Sequence, residues 1–88
     1  MGLWLLAGLS VIPAAHADVA AANACAASLP KDAKAIYDAT LPQVGPGVDL
    51  RSIVTSNTRH LALSGVIARD TARSSAVEAA ACLKHAEP

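Results

Sequence analysis

The sequence predicts an all-α domain, a small bundle of about four short helices stapled by one disulfide. Three observations predict it. About a quarter of the residues are alanine, which favours helix because it loses no side-chain entropy on ordering. Large apolar residues recur at helical spacing in one uninterrupted run, Asp49 to Leu63, where Leu50, Ile53, Val54 and Leu61 share a side. Two cysteines, Cys25 and Cys82, stand far out on either side of that run.

Residues 1–17 read as a signal peptide. Leu3 to Ile12 is apolar, Pro13 breaks the run, and Ala15-His16-Ala17 has the small-x-small form of a cleavage site. The apolar stretch is about ten residues, half of the roughly 20 that a membrane-spanning helix needs. No Lys or Arg precedes it, so its positive end is the amino terminus alone or lies upstream of Met1. The alternative is a buried N-terminal helix of a cytosolic protein. Against that alternative, Trp4 and the leucines alternate with no polar residues that would form a second face.

Cleavage after Ala17 leaves residues 18–88 as a single helical domain of 71 residues. Only sixteen of these are Val, Leu, Ile or Tyr, while ordering the chain costs about 1.5 kcal/mol per residue. Packing alone leaves little net stability, so a cross-link is expected. An exported chain enters an oxidising compartment where two cysteines pair. A bridge from Cys25 to Cys82 is worth about 4 kcal/mol in the chain-entropy model.

Asp18 to Leu29 is a short helix with Asp18 near its start, interrupted by Ser28-Leu29-Pro30. Pro30 disfavours helix at Leu29 and suits the first turn of the next element. Lys31 to Thr40 is the second helix, with Ala33, Ile36, Tyr37 and Leu41 facing inward and Asp32 favourable in the first turn. In Thr40 to Val48, Pro42, Gly45, Pro46 and Gly47 exclude a regular helix. This stretch is an extended connector that Leu41, Val44 and Val48 pin to the core; connectors of this kind are often functional, though most simply join helices.

The run from Asp49 is the element around which the others are expected to wrap. Asp49 is its N-cap, and Gly65 follows its end at the C′ position. Val66 and Ile67 then fold back. Asp70 caps a last helix, Thr71 to His85, whose inward side is Ala72, Ala76, Ala79, Ala80 and Leu83.

Seven basic and seven acidic residues give no net charge, and the basic ones are spread along the chain, unlike a nucleic-acid binder. With no Phe, one Trp and one Tyr, stacking platforms for single strands are absent too. There is no C-x-x-C redox site, no C-x-x-C-H haem site, and no G-x-S-x-G or S-x-x-K nucleophile motif. Asp32 and Asp38 are six apart and do not share a helical face. Cys82 and His85 have ligand-like spacing, but a structural zinc site needs four ligands and only Cys25 and His60 remain. His60 falls on the polar side beside Arg59, and His85 is accounted for by the helix C-terminus. No catalytic residue, metal site or cofactor is expected.

The most organised exposed feature is Arg51, Thr55 and Arg59, repeating every four residues. Such a stripe can bind a carboxylate or phosphate, or be a solvated helix face. Ile36-Tyr37-Asp38, Asp49-Leu50-Arg51, Thr58-Arg59, Gly65, Arg73 and Ala80-Ala81-Cys82-Leu83 together resemble a group of small exported proteobacterial proteins of unassigned function. The resemblance implies a compact helical periplasmic domain and brings no catalytic residues with it. The small single-disulfide helical plan is also similar in outline to acid-stress periplasmic chaperones, though no motif of theirs matches.

The expectation is therefore a non-enzymatic binding or adaptor protein of the bacterial envelope, periplasmic or secreted, with no membrane span after signal cleavage. Its partner would be another envelope protein, met through the Asp49–Leu63 helix and the Pro/Gly connector. The second reading is a stress chaperone that exposes apolar surface on demand. Few ionisable groups are placed to switch it.

Overall fold

A computed structural model of the chain describes residues 18–88; the expected signal peptide, residues 1–17, lies outside them. Four helices follow in order: α1 (Val19–Ala26), α2 (Lys31–Thr40), α3 (Leu50–Leu63) and α4 (Ala72–Leu83). Turns of 3-10 helix extend α2 over Leu41–Gln43 and α4 over Lys84–Ala86, and there is no strand among the described residues. The all-α, four-helix expectation holds.

Asp18 caps α1 by accepting from the Ala21 amide at 2.9 Å. Its own N–H donates to the His85 carbonyl at 2.8 Å, tying the start of α1 to the turn after α4. The bridge Cys25–Cys82 is formed, with the two Cα atoms 5.4 Å apart and a sequence separation of 57. It fastens the end of α1 to the last turns of α4.

Pro30 occupies the N-cap position of α2. Ala33, Ile36, Tyr37 and Thr40 are buried at spacings of three, one and three, one face of a 3.6-residue helix. Tyr37 buries its ring, and its hydroxyl donates to Asn23 Oδ1 of α1 at 2.6 Å. Burial raises the Tyr37 pKa above its ordinary value, and the negative charge of Asp38 adds to the rise.

After α2, Leu41 and Val44 are half-buried against the core as expected. Val48 is not pinned: it is exposed. Gly47 adopts φ +76° and the Val48 amide bonds back to the Gly45 carbonyl, a tight turn that delivers Val48 to the surface.

Asp49 caps α3, accepting from the Arg51 amide at 3.2 Å and the Ser52 hydroxyl at 2.8 Å. At the other end Gly65 takes φ +81°. The Gly65 amide donates to Ala62 O and the Val66 amide to Leu61 O, the paired bonds of a Schellman motif. Ile67 folds back and is buried, whereas Val66 stays exposed.

Two expectations change at α4. Thr71, not Asp70, precedes its first residue, and Thr71 makes no side-chain cap bond. The chain enters through a tight turn in which the Ala72 amide donates to Arg69 O, and the first helical bond runs from Ser75 N to Thr71 O. Asp70 is thereby left one residue outside the cap. The inward side is also rotated: Ser75, Ala79, Cys82 and Leu83 are buried, while Ala72, Ala76 and Ala80 are only partly covered.

The centre of the molecule is not α3. The largest fully buried side chains are Tyr37, Ile36, Leu83, Thr40 and Cys82, all from α2 and α4. Helix α3 contributes Leu50 and Val54, with Ile53 and Leu61 half-buried, and so lies along the flank of that pair. Asn57 fastens it there, donating from Nδ2 to Thr40 Oγ1 at 3.0 Å and to Gln43 Oε1 at 2.8 Å. No described helix is long and apolar enough to cross a membrane.

Candidate functional site

The outward face of α3 follows from its own sequence. With Leu50 and Val54 turned inward, residues a third of a turn away must face solvent, and Arg51, Thr55 and Arg59 are all exposed. At steps of four they form a line about 12 Å long at a rise of ~1.5 Å per residue.

The direction of α4 beside them follows from the connection. Val66 and Ile67 both bond back to Leu61 O, and Ala72 bonds to Arg69 O. Only a few extended residues remain between these two turns, at no more than ~3.6 Å each. Helix α4 therefore starts next to the end of α3 and runs back along it, and the two helices pack on each other.

Between them lies an open groove with a volume of about 1180 Å³. Arg51, Thr55 and Arg59 all line it, together with Thr58. The opposite wall carries Arg69, Arg73 and Lys84. The floor is apolar: Leu50 and Val54 from α3, and Ala72, Ala76, Val77, Ala80 and Ala81 from α4. Val77 is two-thirds exposed, a large apolar side chain with no cover.

Five of the seven basic residues of the chain thus face one groove. The carboxylates lining it are Asp49 and Glu87. None of the five cations is in an ion pair among the described residues; the pair there is Lys34 with Asp38 on α2, at 3.5 Å. The charge is also uneven along the groove. Arg59, Arg69 and Arg73 fall at the end where α3 finishes and α4 begins, while Arg51 and Lys84 share the other end with Asp49 and Glu87.

Sequence reasoning found one wall and missed the other. Arg69, Arg73 and Lys84 come from a distant part of the chain, although Arg69 and Arg73 repeat the four-residue step of Arg51, Thr55 and Arg59. The connector contributes only Val48 to the lining, and the cap of α3 contributes Asp49.

The remaining candidates stay apart from the groove or are consumed. Cys25 and Cys82 are bonded to each other, which removes both thiolates as zinc ligands. His60 and His85 are exposed, and neither lines the groove. Among the described residues no group of three or more His, Cys, Asp or Glu is placed to hold a metal ion.

One polar atom in the wall has no account from the fold. Thr58 Oγ1 is shut off from solvent and has no hydrogen-bond partner. Comparison with known proteins adds nothing to this geometry: no family model, no curated protein and no solved structure matches the chain.

Proposed function

We propose that this chain is a non-enzymatic binding or adaptor protein of the bacterial cell envelope, exported by its first seventeen residues, whose contact surface is the groove between α3 and α4. The observation that carries the reading is the gathering of five unpaired cations around an uncovered apolar floor, in a chain with no net charge. Helix α1 carries none of the seven cations, and this groove gathers five of them. The groove is open along its length and exceeds the ~300–1,000 Å³ of enclosed small-molecule sites. An open groove of that size favours a macromolecular partner over an enclosed small ligand.

The test is site-specific photo-crosslinking in living cells. A photoreactive residue placed at Thr55 or Val77 is expected to give the same discrete adduct, and one at Ala39 on the exposed side of α2 to give none. Adducts of equal yield from all three positions, or from none, contradict the reading. A broad ladder of unrelated clients that grows under acid stress would instead support the chaperone reading. The fold gives that reading little support, because no carboxylate or histidine is buried among the described residues to act as a trigger.

A further inference from the structure

The geometry points to a specific occupant: one amphipathic helix of a partner protein, its acidic residues gathered toward its C-terminus, lying with that end against Arg59, Arg69 and Arg73. The inference rests on the reading of the groove as the contact surface and adds the chemistry and direction of what fills it.

Three features of the groove select a helix. Its length is set by α3, 14 residues, or about 21 Å, which matches a helix of three to four turns. Ala72, Ala76 and Ala80 recur on the α4 side at steps of four, and side chains this small let a third helix approach closely. The occupant supplies the apolar stripe that Val77 lacks, as amphipathic helices do in other grooves.

The charges set its direction. A helix carries partial negative charge at its C-terminus and partial positive charge at its N-terminus. Arg59, Arg69 and Arg73, at an end with no lining carboxylate, attract the first, while at the other end Asp49 and Glu87 are balanced by Arg51 and Lys84 and do not compete for it. An anionic lipid is matched at the arginine end only, since its chain would run toward the four charged groups Asp49, Arg51, Lys84 and Glu87 at the other. The buried, unpartnered Thr58 Oγ1 lies in the same wall, one residue before Arg59.

The test uses the disulfide-bonded protein purified from cells expressing the full chain. Two 14-residue peptides of identical composition each carry a Leu/Ala face. One bears Glu in its last two turns and the other in its first two. Fluorescence polarisation is expected to show the first binding at least about fivefold more tightly, with about a tenfold loss in Arg59→Ala/Arg73→Ala, equivalent to ~1.4 kcal/mol. Equal binding of the two peptides overturns the direction. Failure of both to bind, or preferential binding to phosphatidylglycerol vesicles, overturns the helix. If crosslinks from Thr55 and Val77 form in cells while neither peptide binds, the groove survives as the contact surface and only its helical occupant is lost. If those crosslinks are also missing, the groove itself is the wrong surface.

Discussion

Helices α2 and α3 are both amphipathic, and they do different work. Helix α2 turns Ala33, Ile36, Tyr37 and Thr40 into the interior, with Ile36 and Thr40 fully covered. Helix α3 is longer, with large apolar residues in more of its turns, yet it buries only Leu50 and Val54. The difference is position. Helix α2 meets α4 along the face that α1 and the Cys25–Cys82 bridge also cover, whereas α3 has a neighbour on one side and the groove on the other. Apolar content alone does not decide which helix becomes the core; the number of sides that are covered does.

The largest effect should come from the bridge. Replacing both cysteines, Cys25→Ala/Cys82→Ala, is expected to cost about 4 kcal/mol, read as a lower urea midpoint. A midpoint unchanged from that of the oxidised protein would show that the helices hold without it. The next contrast is direct. Ile36→Ala should cost about 3–4 kcal/mol and Leu50→Ala about 2, since cavity cost grows with how completely the site is enclosed. The reverse order would put α3 back at the centre.

Smaller effects sharpen the comparison at single groups. Asp49→Ala removes a cap that serves the Arg51 amide and the Ser52 hydroxyl, a loss of about 1 kcal/mol. Tyr37 supplies a pH test. Its folded pKa is raised by burial above the unfolded value of about 10, so the native state holds the proton more tightly than the unfolded chain. Its contribution is complete below about pH 10 and is lost as pH rises through the folded value. Denaturation in urea from pH 8 to pH 11 should show this decline, and Tyr37→Phe should flatten it; an equally steep decline in the variant would assign it to other groups.

Much of α3 was legible because its signals are local. Asp49 before the apolar run and Gly65 after it mark both ends, and each acts within a few residues of itself. The alanine core was legible only in part: Ala33 and Ala79 fall on the inward faces expected of them, while nothing in the sequence singled out Ala22 and Ala26. Ala22, Ala26, Ala33 and Ala79 are buried almost completely, while Ala27, Ala39 and Ala81 are exposed. The residue is the same, so only the packing partner separates them. Asp70 misled for a related reason: a good capping residue does not cap when the chain enters the helix one residue later. The candidate site was half legible, since a single helix shows its own stripe but not the wall that another helix brings to face it.

The central claim is that the chain holds itself together on the α2–α4 side and makes contact on the α3–α4 side, so the two can be separated. The most direct measurement is the photo-crosslink yield from Thr55 in cells, compared between the native groove and Arg59→Ala/Arg73→Ala at equal protein level. Surface substitutions of this kind change stability by no more than about 0.5 kcal/mol. The account predicts that the adduct is lost while the urea midpoint of the purified variant is unchanged. An undiminished adduct with both arginines gone would contradict it.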